Sequence, residues 1–229
     1  MLTPEEWTAV TLSLRVAFWA TFWSLPVAVV AAWLLARVPF PGKGLFDGLV
    51  YMPLVLPKVV VGYLLLITLG ARGSIGQYLD AWFGIKLIFT TAGATVAAAV
   101  VSFPLSVNAI RLALEAVDRG LETAARTLGA SRLDVFFSIT FPLMLPGIVS
   151  GALLAIASAL GEFGATITFV SNIEGQTRTI PLAIYSATHM PDGDAMALRL
   201  TLVSVVLALG SLLLAGVVDR RIRVMIGRV

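Results

Sequence analysis

The chain has no cysteine and one histidine, and only 13% of its 229 residues are charged. Each scarcity removes a class of function. Without cysteine there are no disulfides and no thiol chemistry. With His189 the only histidine, an ordinary zinc site cannot be assembled, and that residue reads as a loop histidine near Pro191. Soluble domains carry about 25% charged residues, so a soluble globular fold is excluded as well. A phosphate-cradling loop needs Gly, four residues, then Gly-Lys-Ser/Thr. The nearest stretch, Gly42-Lys43-Gly44, has Arg37 in place of the first glycine and Gly44 in place of the hydroxyl residue. Any ATP must therefore be hydrolysed on another chain. Gly70, Gly73 and Gly76 do not have dinucleotide-binding spacing, and no nucleophile motif surrounds any serine. No basic stripe interleaved with aromatics lies outside the apolar segments, which argues against nucleic acid despite an isoelectric point near 9.6. No lysine or arginine precedes the first apolar run; residues 1–7 are acidic, a poor signal-peptide start, so that run is expected to be a permanent span.

Apolar residues are abundant: 59% of the chain, with a mean hydropathy of +0.96. They fall in blocks near the roughly 20 residues a helix needs to cross a bilayer. Five spans are expected, at 10–36, 46–69, 90–110, 135–160 and 196–218. The fold class is thus an all-α integral membrane protein, a polytopic bundle of about five transmembrane helices. A single membrane domain covers 8–218 and a basic tail covers 219–229. Between the fourth and fifth spans, 161–195 holds two apolar runs too short to cross, and re-entrant or loop-lining structure is expected there.

Lysine and arginine placement sets the orientation. With the N-terminus outside, ten basic residues fall in inner segments and three in outer ones. The C-terminus and the connection at 111–134 are then cytoplasmic. Arg15 and Arg199 lie near the outer ends of their spans, where long side chains can snorkel.

That connection carries the main polar interruption, Glu122-Thr123-Ala124-Ala125-Arg126-Thr127-Leu128-Gly129, followed by Ile139-Thr140-Phe141-Pro142. Leu121, Ala124, Ala125 and Leu128 share one helical face. Glu122 with Arg126, and Glu115 with Arg119, have the i,i+4 spacing of helix-stabilising ion pairs. Gly129 suits the left-handed position that ends a helix, and Ser131 with Asp134 has the form of a capping box. A plain linker helix lying in the headgroups fits this chemistry as well as a docking helix does.

The stretch resembles the cytoplasmic loop of ABC-importer permeases: Glu-Ala-Ala, three residues, Gly, nine residues, Ile, one residue, Leu-Pro. Ala124, Ala125, Gly129, Ile139 and Pro142 match it, while Thr123 stands at the acid position with Glu122 one place earlier, and Phe141 replaces leucine. Pro53-Leu54-Val55-Leu56-Pro57, Ser102-Phe103-Pro104-Leu105 and Gly161-Glu162-Phe163-Gly164 are similar to the permease subunits of molybdate importers, with sulfate and tungstate permeases sharing much of the plan. The resemblance implies an inner-membrane homodimer, a cytoplasmic ABC ATPase subunit gripping a coupling helix at Glu122, Ala124, Ala125 and Gly129, an extracytoplasmic oxyanion-binding protein, and no cofactor. It implies transport by alternating access and no catalysis on this chain.

An anion cannot enter low dielectric unaided, since an isolated charge there costs tens of kcal/mol by Born estimates. Lys58, flanked by Pro53 and Pro57, is the one basic residue near the middle of a span, and a place facing the pathway or a gate competes with pairing to Glu162. Glu162 could shape an outer gate or cap the next helical turn. Ser102, Ser106, Asn108, Thr166 and Thr168 could line a path or simply bond between helices. Gly147 and Gly151 have small-xxx-small spacing, a candidate for the dimer axis. A secondary transporter predicts inverted repeats, which are absent here; an intramembrane enzyme needs facing acids or a nucleophile at bilayer depth.

Overall fold

The computed structural model describes residues 2–225, without the side chains of 215, 218, 219 and 222–225. Four of its helices are long and apolar enough to cross a membrane, and a bent pair makes a fifth crossing when counted as one span.

α1 (Pro4–Arg37) opens on a capping box, with Thr3 and Glu6 exchanging backbone-to-side-chain hydrogen bonds of 2.7 and 3.3 Å, and with Pro4 in its first turn. At 34 residues it exceeds what a bilayer core requires, so its ends project or it tilts. Its buried stripe is mostly small, including Ala17, Ala20, Ala28 and Ala32. α5 (Thr91–Glu115) answers with Ala94, Ala97 and Ala98. In lipid, helices associate through close backbone approach rather than through hydrophobic burial, which explains this choice of residues.

α2 (Lys43–Val55) and α3 (Lys58–Leu69) replace the continuous second span expected at 46–69. The two meet at a 115° bend. Pro57 supplies no amide hydrogen and biases Leu56 towards extended backbone, seen at φ −70° and ψ 143°. The halves serve different ends of the bundle. Val50 of α2 joins a core cluster with Ala28, Leu35, Ile110 and Met144, while Val61 and Leu65 of α3 join one with Leu12, Val16, Ala94 and Phe169. α4 (Gly76–Phe83) is a short connector before α5.

The connection at 111–134 begins inside α5, whose helix runs on to Glu115. It then forms α6 (Arg119–Thr127) and α7 (Arg132–Val135). A π-helical turn at Phe136–Thr140 leads into α8 (Phe141–Leu160). Proline cannot donate to the carbonyl four residues back and clashes with it, so Pro142 favours a widened turn just upstream. α8 packs tightly on α5. A Cβ at Gly147 would lie 2.3 Å from Ala113 Cβ, one at Gly151 would lie 3.1 Å from the Ser106 carbonyl, and Ser106 Oγ donates to the Gly151 carbonyl at 3.0 Å. These glycines therefore serve close packing against α5 within the protomer.

The stretch 161–195 folds as two short helices, α9 (Gly164–Val170) and α10 (Ile180–Ala187), neither long enough to cross. Ile180 N–H donates to Ser13 Oγ at 2.7 Å, and Ile180 and Ala183 share a cluster with Ala9, Val10 and Leu200. α11 (Asp194–Met225) lies on this end and on α8, mostly exposed. It runs without a break through the boundary expected at 218, and residues 226–229 of the expected tail lie outside the described residues. Arg199 does not snorkel alone: it holds the fully buried Glu6 carboxylate at 2.6 Å. His189 sits at the surface, its ring nitrogen 2.8 Å from the Tyr185 carbonyl.

Candidate functional site: the α6 loop and the Lys58–Glu162 pair

α6 is built by local rules at both ends. Asp118 caps its start by accepting from Gly120 N–H at 2.7 Å. Its end is a full Schellman motif: Gly129 N–H donates to the Arg126 carbonyl at 3.0 Å and Ala130 N–H to the Ala125 carbonyl at 3.1 Å, with Gly129 at φ +92°. The Ser131–Asp134 capping box then restarts the chain as α7. A nine-residue helix is marginal alone in water, and these terminations keep it rigid.

No residue of α6 is buried. Leu121 is 49% exposed and Leu128 89%, and Leu133 beyond it is 69% exposed. Of the apolar face read from the sequence, Leu121, Ala124 and Leu128 are thus turned away from the bundle, while Ala125 is half-buried.

One polar residue points back. Glu122 Oε1 lies 3.2 Å from Arg37 and accepts from Thr140 Oγ1 at 2.8 Å, while Arg37 also donates to the Leu114 carbonyl at 3.0 Å. Both partners are only 12–13% exposed. The helix is therefore tied at a single point to the last turn of α1, the last turn of α5 and the π turn ahead of α8. The i,i+4 pairs expected from spacing do not form. Glu122 turns to Arg37 instead of Arg126, and Glu115 pairs with Arg111 at 2.9 Å, Arg111 also reaching Asp47 at 2.7 Å. For Glu122, a tertiary partner with a fixed, partly desolvated geometry outcompetes a solvated neighbour worth about 0.3–0.5 kcal/mol, whereas Glu115 exchanges one i,i+4 partner for another, Arg111, which Asp47 also holds. Sequence reasoning passed over Arg37 and Thr140. Arg37 figured only among the inner basic residues and as the mismatch to a phosphate-loop glycine, and nothing local distinguishes Thr140 from other threonines.

Lys58 does not stand mid-helix. It opens α3 at the bend, and its ammonium lies 3.1 Å from Glu162 Oε2. Glu162 is buried, and its other oxygen accepts from Ala165 N–H at 2.8 Å, capping α9. Lys58 thus pairs with Glu162, and Glu162 caps a helix. Approach here is close, since a Cβ on Gly164 would lie 2.8 Å from Lys58 Cβ and one on Gly62 would lie 2.6 Å from the Ala165 carbonyl. The Lys58 side chain is nonetheless 49% exposed, so one face of the ammonium stays open. Ser102 and Thr168 donate to carbonyls of their own helices at 2.8 Å, and Asn108 accepts from Tyr51 at 3.4 Å. Thr166 is buried. Ser106, bonded to α8, and Asn108, bonded to α2, are the two of these shown tying helices together.

The fold is similar to the methionine ABC transporter MetNI in inward-facing form, with a TM-score of 0.73 at 16% identity, covering 97% of this chain and 99% of that one. In sequence the chain is 58% identical over 228 residues to the molybdenum transport system permease protein ModB of Escherichia coli (strain K12), covering 100% of both. It is 53% identical to the ModB protein of Haemophilus influenzae, covering 97% of both. Identity falls to 35% with the sulfate transport system permease protein CysT of Salmonella typhimurium, covering 93% of this chain and 76% of that one. Residues 24–224 match the family model of the binding-protein-dependent transport system inner membrane component, and the chain belongs to that family of multi-pass ABC-importer permeases, non-catalytic transport subunits whose ATP is hydrolysed on a separate chain and which work with a binding protein.

Proposed function

We propose that this chain is the membrane-spanning subunit of an ATP-driven importer that moves molybdate, or a closely related tetrahedral oxyanion, into the cytoplasm. Two copies sit side by side in the membrane, each with its N-terminus outside and α6 inside. The observation that carries the coupling role is the posture of α6: capped at both ends, apolar face outward, one buried carboxylate inward. A cleft in an ATPase subunit would cover Leu121, Ala124, Ala125 and Leu128, with Gly129 leaving room for close approach. When two ATPase subunits close on ATP, displacement of α6 passes through Glu122 to Arg37 and Thr140. From there it reaches α1, α5 and α8 together. The assignment of cargo rests on the higher identity to the molybdenum permeases than to the sulfate permease.

On the translocation path, Lys58 offers the half-open ammonium that an oxyanion would meet at the α2–α3 bend. Glu162 anchors it from the buried side. The pair acts as a gate: an arriving dianion competes with Glu162 for the lysine and loosens the α3–α9 contact. Sorting among oxyanions is left to the external binding protein.

Uptake of labelled molybdate in cells with and without this subunit, against unlabelled sulfate, tests the cargo. Subunit-dependent molybdate uptake that sulfate does not suppress is the expected result. Uptake of sulfate in preference to molybdate would reassign the substrate without touching the coupling role.

A further inference from the structure

The Arg37–Glu122 contact sits in the floor of a cavity of about 300 Å³ whose rim carries two more arginines, Arg126 and Arg132. Among the described residues neither makes an ion pair, and Arg37 Nε is buried with no hydrogen-bond acceptor. Glu122 is the one acid in the lining and is neutralised by Arg37, while nearby Asp134 is occupied by Ser131. The cavity thus has a net positive rim and wants an anion.

Its other wall identifies which kind. Trp33, Arg132 and Phe136 also line a second cavity of about 360 Å³ that is almost wholly apolar, bounded by Val29, Val30 and Met144 on α1 and α8. A cluster of guanidinium groups therefore opens directly onto a greasy groove running along the bundle from the loop end. Trp33, 42% exposed, stands where the two meet, the position in which tryptophan marks a membrane–water interface. A free oxyanion would use the first cavity and leave the second empty. An anionic phospholipid uses both, with its phosphate on the arginines and an acyl chain along α1. We propose that this paired cavity is a binding site for one anionic phospholipid, wedged between the end of α1 and the π turn and touching the link that ties α6 to the bundle.

The test uses the purified transporter with its ATPase subunit, reconstituted either with phosphatidylglycerol or with phosphatidylcholine alone, then released for native mass spectrometry. Retained phosphatidylglycerol with no retained phosphatidylcholine is expected. Arg132→Gln should lower retention about fivefold, the worth of one surface arginine near an anionic headgroup at about 1 kcal/mol. Val30→Trp, on an exposed position of the groove, should lower it too by filling the chain's path. Excess inorganic phosphate should leave retention unchanged. The proposal is overturned by equal retention of phosphatidylcholine, by wild-type retention in both variants, or by displacement with inorganic phosphate. Loss of the lipid whenever the ATPase is bound overturns it as well, since the arginines would then belong to the subunit contact.

Discussion

Arg37 and Glu122, 85 positions apart, meet at 3.2 Å in a pocket where each keeps little more than a tenth of its side-chain surface. The contact joins α6, through its inward-turned carboxylate, to the ends of two spans. Hydrogen bonds to charged groups contribute about 1.5–3 kcal/mol, and stranding one buried member costs the larger share. Glu122→Gln should keep the fold, lower thermal stability by about 2 kcal/mol, and uncouple ATP hydrolysis from uptake. Arg37→Glu combined with Glu122→Arg should recover part of the coupling. If the single variant couples normally in proteoliposomes, force does not travel through this pair.

Gly129 terminates α6 at φ +92°, with open space where a Cβ would stand. Gly129→Ala should therefore cost only the left-handed backbone term, about 1 kcal/mol, and leave assembly intact. Gly129→Trp should abolish capture of the ATPase subunit, because the bulk would land on the proposed docking face. Equal copurification of the ATPase by both variants would remove Gly129 from the contact.

Lys58→Met keeps the length of the side chain and deletes its charge, leaving the buried Glu162 without its cation. Transport should fall at least tenfold while the complex still assembles. Lys58→Met with Glu162→Gln should restore stability without restoring transport. A single variant that assembles and transports at the wild-type rate assigns Lys58 to packing alone.

Gly62→Val would push a side chain into the Ala165 carbonyl and Thr168, and Gly147→Val into Ala113 and the Ala109 carbonyl. Both should fail to accumulate in the membrane, as overpacking costs about 1–3 kcal/mol even where neighbours can yield, and backbone yields little. Gly210→Val, on the exposed α11 with open space around it, is the control expected to be neutral. Accumulation of all three alike would mean that α3–α9 and α5–α8 are looser than described.

Long apolar blocks made the spans legible, and fixed capping chemistry made the end of α6 and the start of α7 legible from Gly129, Ser131 and Asp134 alone. Partners distant in sequence were not. The spacing of Glu122 and Arg126 is equally compatible with a local pair, and only the packing of α1 beside the loop brings Arg37 within reach. The bend at Leu56-Pro57 was not expected: the prolines were noted only as flanking Lys58 within one span, and the 115° angle goes with α3 packing on α9. The spacing of Gly147 and Gly151 announced close packing and suggested a dimer axis, while the surface they meet in the protomer is α5.

Because the chain has no cysteine, one introduced at Thr123, exposed on α6, reports sidedness without background. In intact cells a membrane-impermeant maleimide should leave Thr123→Cys untouched. In inverted vesicles stripped of ATPase it should label fully, and adding the ATPase subunit back should protect the site. Labelling from outside, or labelling in inverted vesicles that the ATPase does not diminish, would contradict the account of α6 as the element that the ATPase grips.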